Sequence, residues 1–205
     1  MHPFSRWLGA LALALCVTVA HAGTWQVVKN PKANQVKFHS EATLESFDGS
    51  TGAITGTVTL QGAAVAENST AEFSVDLREV RTGIDLRDQH MRDNHLHTKD
   101  HPLTTFTAKR VIGSGELKDG KPLKVKVVGD LKLHGVSRER QLDVTLTWYA
   151  DGSRTAAGVA GPVLRMQTAY DVALEDHGIP RPAFLFMKMA EAVNMTVDIW
   201  AVPKN

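Results

Sequence analysis

The sequence predicts an all-β fold in which many antiparallel strands form a sandwich or a closed barrel. Three observations predict it. Apolar and polar residues alternate with period two along most of the chain, turn residues punctuate the alternating segments at short intervals, and one segment breaks the pattern. Period two sends successive side chains to opposite faces of a sheet, so each alternating segment reads as a strand with one buried face.

Taken in order, the alternating segments are Val36-Lys37-Phe38-His39, Ala53 to Leu60 and Ala71 to Leu77. The second half continues with Leu123 to Val128, Leu142 to Trp148, Val163 to Leu174 and Val193 to Ala201. Turns are expected at Asp48-Gly49, Gly62, Asp119-Gly120, His134-Gly135 and Asp151-Gly152. From Ile84 to Leu96 the spacing of Ile84, Leu86, Met91 and Leu96 does not fit a strand. Asp88 and Arg92 there stand four apart, a helical pair contributing about 0.3 kcal/mol, which predicts a short helix over Leu86 to His95 that ends before Pro102. A second helical turn is expected around Ile179 to Met189, beside Pro180 and Pro182. There is no internal repeat, low-complexity tract or linker.

Residues 1–22 read as a cleaved secretory signal: Arg6 precedes the apolar run Trp7 to Val19, and Ala20-His21-Ala22 supplies small residues for cleavage. An uncleaved anchor is the alternative, disfavoured because the run is shorter than the ~20 residues a bilayer span needs. Cys16 follows Leu15 inside the apolar run, which does not suit lipidation. The expected mature chain, residues 23–205, is the size of one domain with a substantial core. It retains no cysteine, hence no disulfide, thiolate nucleophile or thiolate ligand. Loss of Arg6 leaves 22 basic against 22 acidic residues, a balance that points to neither nucleic acid nor an anionic membrane.

Several separate segments resemble the YceI-like family, the polyisoprenoid-binding proteins of bacterial envelopes. They are Val36-Lys37-Phe38 with Phe47-Asp48-Gly49; Thr82-Gly83-Ile84-Asp85-Leu86-Arg87-Asp88-Gln89-His90-Met91 leading to Leu96; Pro102-Leu103-Thr104-Thr105-Phe106; Gly129 to Ser137, which contains Leu131-Lys132-Leu133-His134-Gly135-Val136; and Asp176-His177-Gly178-Ile179. The resemblance implies an extended eight-stranded antiparallel lipocalin-like barrel with a short helix packed at its mouth. It also implies a periplasmic location and an isoprenoid or other long-chain lipid held inside. Two features depart from the family pattern: the histidine-rich stretch Arg92 to His101, and the apolar stretch Phe184-Leu185-Phe186-Met187-Lys188-Met189.

In such a barrel the residues expected to face the ligand are Phe38, Phe73, Val75, Leu77, Phe106, Val127, Leu131, Leu133, Val144, Leu146, Met166, Tyr170, Phe184 and Phe186. Trp148 and Val172 belong to the same inward set, and the small residues Ala42, Ala71 and Ala108 leave room beside them. Half of every strand faces inward in any barrel, so a filled core remains the competing reading. Arg87, Asp88, His90, Met91 and His134 are expected at the mouth, with Arg87, Asp88 and Arg92 pinning the helix through an ion-pair cluster and His134-Gly135 forming a strand-end turn.

Four of the seven remaining histidines, His90, His95, His97 and His101, crowd into residues 90–101 and raise the question of a metal. Their spacing argues against one, since only His97 and His101 stand four apart. A pH-responsive loop is a further reading, because histidine titrates near neutrality. Enzyme signatures are missing: there is no Gly-x-Ser-x-Gly, His-Glu-x-x-His or phosphate-binding glycine loop. Asp85, Asp88, His90 and Ser137 form a triad only on paper. The expectation is therefore a non-enzymatic carrier or store of an apolar ligand such as an isoprenoid, polyprenyl or quinone-type lipid, with no cofactor, metal or nucleic-acid partner and no stable membrane insertion. A metal-linked or redox-linked envelope protein using His90 to His101, and a homodimeric interaction module using an exposed strand or the Phe184 to Met189 stretch, are the alternatives.

Overall fold

The structure, a computed structural model, describes residues 23–41, 46–60, 64–180, 183–184, 187–188 and 192–204. The expected signal, residues 1–22, lies outside them. The strands are β1 (Gly23–Val27), β2 (Gln35–Glu41), β3 (Ser46–Thr51), β4 (Ile54–Leu60), β5 (Ala64–Val65), β6 (Thr70–Asp76), β7 (Leu103–Ile112), β8 (Gly115–Glu116), β9 (Pro122–Leu133), β10 (Val136–Tyr149), β11 (Val163–Ala173), β12 (Ala183–Phe184), β13 (Met187–Lys188) and β14 (Ala192–Pro203).

Eight of them form a closed antiparallel barrel in the order β1-β4-β6-β7-β9-β10-β11-β14, sealed by β1 against β14. The hairpin of β2 and β3 extends the wall beside β14, pairing Phe38 with Met195 and Gly49 with Phe38. β1 and β2 therefore act as one strand interrupted at residues 28–34. Asn34 bridges the interruption: buried, it donates from Nδ2 to the Val28 carbonyl at 2.8 Å and accepts at Oδ1 from the Trp200 amide at 3.0 Å. A side chain here replaces ladder bonds that a buried backbone cannot leave unmade.

The long strands β9, β10, β11 and β14 carry the period-two pattern most clearly. The fourteen residues of β10 alone reach roughly 43 Å at about 3.3 Å per residue. Trp25, Leu117 and Trp148 fill the end of the barrel at which β10 finishes. At the other end β9 turns into β10 through His134 and Gly135, both at positive φ (50° and 78°). That is the two-residue turn whose twist matches a hairpin.

The segment between β6 and β7 crosses this second end. It contains a helical turn at Leu77–Glu79, the helix α1 (Asp85–His90), and a wider π-helical turn over Met91–His95. The expected helix over Leu86 to His95 is thus present, its second half underwound.

Two expectations need correction. Asp48-Gly49 is not a turn but lies within β3, because Gly49 is required beneath the ring of Phe38 on the adjacent strand. No helical turn forms over Ile179 to Met189 among the described residues: the helical turn comes earlier, at Glu175–His177, and β12 pairs with β13 as a hairpin. Ala42 and Gly62 lie outside the described residues.

Candidate ligand cavity

Inside the barrel is a cavity of about 750 Å³, within the range of small-molecule sites. Its walls are overwhelmingly apolar and run continuously from Leu60 and Val65 near the filled end to Leu96 and Ile179 near the other. Val125 and Leu133 both line it, eight positions apart on β9, which corresponds to roughly 26 Å along the strand. The space is elongated, so it suits a chain better than a compact ring system.

Twelve of the fourteen residues expected to face a ligand line this cavity: Phe38, Phe73, Val75, Leu77, Phe106, Val127, Leu131, Leu133, Val144, Leu146, Met166 and Tyr170. Phe186 and the side chain of Phe184 lie outside the described residues. Ala71, Ala108 and Val172 also line it, whereas Trp148 is buried in the adjoining core. The residue list drawn from sequence omitted β14 altogether: Val193, Met195, Val197 and Ile199 line the cavity. Their parity along the alternating run from Val193 was the signal that could have found them.

The lumen stays open through a repeated local device. Phe38 stands directly across from Gly49, and Phe73 across from Gly56, while Phe106 lies diagonal to Gly129. A Cβ on these glycines would fall 2.1 Å from Phe38, 2.5 Å from Phe73 and 2.7 Å from Phe106 ring atoms. Each glycine lets a large ring lie along the wall instead of projecting into the lumen. The wall environment is apolar enough that burial pushes the Tyr170 phenol up to about 12, against the opposing charge of Arg140.

At the α1 end the mouth is lined by Ile84, Leu86, Arg87, His90 and Met91. Ile84 and Leu86 are 51% and 63% exposed, so the apolar lining continues to the outer surface. The Arg87 guanidinium lies 4.4 Å from the centre of the Phe47 ring, and its Nε and Nη2 donate to the hydroxyl and carbonyl of Thr82 at 2.9 and 3.0 Å.

Asp88 and His134, expected at the mouth, do not line the cavity. Asp88 is 2% exposed and accepts from the amide and hydroxyl of Thr82 at 2.8 and 2.5 Å. Burial alone would raise its carboxyl, but the Thr82 bonds and the charges of Arg92 and Arg81 hold it below the ordinary carboxylate value. It anchors α1 to the preceding loop. This is a hydrogen-bonded anchor more than the expected ion-pair cluster, because a short helix without a side-chain N-cap needs its first turn fixed from elsewhere.

Among the described residues no three His, Cys, Asp or Glu side chains are grouped to hold an ion. Instead His97 Nδ1 and His134 Nε2 lie 2.8 Å apart, and the rings of His101 and His134 meet edge to face at 4.6 Å. His177 is fully buried, with Nδ1 3.1 Å from the Val136 carbonyl. Burial holds it, and likewise the half-buried His95, below the ordinary imidazole range.

A closed eight-stranded antiparallel barrel around an elongated apolar cavity places the chain among barrels of the lipocalin-like class. Comparison with known proteins narrows this. The YceI-like domain model matches residues 25–201. The chain belongs to the YceI-like family. A polyisoprenoid binding domain from Saccharophagus degradans, implicated in plant cell wall breakdown, has the same fold at 16% identity and a TM-score of 0.66, over 89% of this chain and 99% of that one. Burkholderia cenocepacia BcnA superposes at a TM-score of 0.63 with 14% identity, over 84% and 100% of the two chains. A Campylobacter jejuni YceI protein does so at 0.51 with 13% identity, over 100% and 94%. The search of curated proteins returns no match.

Proposed function

We propose that this protein is a non-enzymatic carrier or store for a long-chain apolar ligand of the isoprenoid, polyprenyl or quinone type, acting in the bacterial envelope after export through a cleaved signal at residues 1–22. The observation that carries the reading is the elongated, almost wholly apolar cavity of about 750 Å³ that opens beside α1. The polyisoprenoid binding named for the Saccharophagus degradans domain supports the ligand class, and the apolar segment ahead of Ala20-His21-Ala22 supports export. Among the described residues no helix is long and apolar enough to cross a membrane.

Affinity would come from removing hydrocarbon from water, about 0.8 kcal/mol per methylene before the cost of association. Phe38, Phe73, Phe106, Leu131, Val144 and Leu146 would supply the walls, and the segment from Ile84 to Met91 the rim. Organic extraction of protein purified from its native envelope, followed by mass spectrometry, tests this directly. An apolar chain compound at near-stoichiometric yield is the expected result. Recovery of none, together with no uptake of added geranylgeraniol, refutes the reading.

A further inference from the structure

Three segments meet at the α1 end of the cavity: residues 91–101, the β9–β10 hairpin turn, and the loop at 174–179. Met91, His95, Leu96, Leu133, Leu174 and Ile179 from these segments all line the cavity. Histidines are among the links between them. His134 Nδ1 lies 3.2 Å from the His177 carbonyl, and His177 Nδ1 lies 3.1 Å from the Val136 carbonyl. A carbonyl only accepts, so both imidazoles carry a proton on Nδ1. Neutral His134 then presents a lone pair at Nε2, which makes His97 Nδ1 the donor across 2.8 Å. His97 and His134 both sit at positive φ, 45° and 50°, a backbone region unfavourable for most side-chain-bearing residues and here held in place by these contacts.

We propose that the His97–His134–His177 cluster is a proton-operated latch that holds the 91–101 segment over the cavity at neutral pH and releases it on acidification. One added proton can be shared between His97 and His134. A second sets N–H against N–H and places two positive charges within hydrogen-bond distance, with the His101 ring packed against the same imidazole. The 91–101 segment itself carries Arg92, Asp93, His95, Lys99 and Asp100, with His90 just before it; the hairpin strands carry Lys132, Arg138 and Arg140, with Asp130 and Glu139 both held by Lys109; the loop carries Glu175 and Asp176. Asp176 is already engaged, its carboxylate by Arg140 at 2.9 Å and its carbonyl by Arg138 at 2.9 Å. The sign follows from linkage. Burial holds His95 and His177 below the ordinary imidazole range in the closed form, and they bind protons more readily once freed, so the closed form loses stability as pH falls through and below about 6.5.

The latch stands on the histidine geometry; its use in ligand release rests on the lipid reading. Hydrogen exchange on the full chain separates the two. The amides of Thr98 and His101 donate to the carbonyls of Arg92 and His97, both at 2.9 Å; these bonds lie within the segment and report its local order, which loss of the His97–His134 contact should loosen. After correction for intrinsic rates, their protection should drop at least tenfold between about pH 7.5 and pH 5, while β10 and β11 amides hold. His134→Asn keeps a favourable Asn-Gly turn but removes the ring, so protection should be low and flat across pH. His97→Asn should behave alike and stands in if the first variant folds poorly. Imidazole nitrogen shifts of the wild type should show Nδ1–H tautomers at His134 and His177. Flat wild-type protection, a wild-type-like step in the variants, or Nε2–H tautomers would overturn the latch. In parallel, geranylgeraniol should dissociate at least tenfold faster at the lower pH. A protection step without geranylgeraniol binding at either pH leaves the latch and removes the lipid reading; binding with flat protection does the reverse.

Discussion

A methyl group added at Gly49 would sit 2.1 Å from Cε1 of Phe38, far inside van der Waals contact, whereas one added at Gly23 would meet nothing within 4 Å. Gly49→Ala must therefore push the Phe38 ring off the wall, and the cavity that Phe38 lines is open space beside it. The expected cost is about 1–3 kcal/mol of stability, as for other overpacked cores, with weaker geranylgeraniol binding; Gly23→Ala should change neither. Urea denaturation and ligand titration of the two variants check this, and equal behaviour would show that the ring has another place to go. The pairing also explains why Asp48-Gly49 reads as a turn in sequence. Turn glycines and glycines that admit a cross-strand ring look alike until register is known. Phe38 and Phe73 were legible from alternation and Phe106 only through the family resemblance; the glycines beneath them were not.

Among the elements, those with strict alternation, β4, β6, β9, β10, β11 and β14, were legible because one face of each meets the interior. β3 and β7 were not read as strands. Gly49 interrupts the first, and Leu103-Thr104-Thr105-Phe106 opens the second with two adjacent threonines. A bulge between Ala108 and Arg110 then shifts the parity of β7 midway. The apolar stretch near Phe184 misled in the opposite direction, because flanking prolines and a dense apolar run fit a helical turn as well as the hairpin of β12 and β13. The His134-Gly135 turn was legible as a turn, but not its contacts. Gly135 has φ 78°, and a Cβ there would lie 3.0 Å from the His101 ring. Gly135→Ala should accordingly cost about 1–2 kcal/mol, combining the left-handed backbone with the crowded ring. Denaturation curves should show it as a lower midpoint at unchanged slope. A neutral result would mean that the turn relaxes without disturbing His101.

For the whole molecule, periodicity left sandwich and barrel open, since closure depends on β1 meeting β14 across almost the entire chain, a pairing with no local signature. Likewise, whether the inward residues fill a core or line a cavity depends on rings lying flat against the wall, which alternation does not encode. That distinction has a thermodynamic consequence. A ligand that binds only the folded barrel raises stability by about 2.7 kcal/mol at a hundredfold excess over Kd. For a domain of this size that is a rise in melting temperature of about 5–10 °C. Geranylgeraniol should produce such a shift in the wild type. Val144 lines the lumen, across from Thr168 on β11 and Val125 on β9. Val144→Trp should interrupt the elongated space while leaving the ligand-free barrel within about 2 kcal/mol of wild type, because the added ring enters open volume and not a packed core. Differential scanning calorimetry with and without geranylgeraniol distinguishes the cases. If the variant loses most of the ligand-induced shift, the chain binds along the lumen; if it keeps the full shift, the ligand lies elsewhere and the open barrel has some other use.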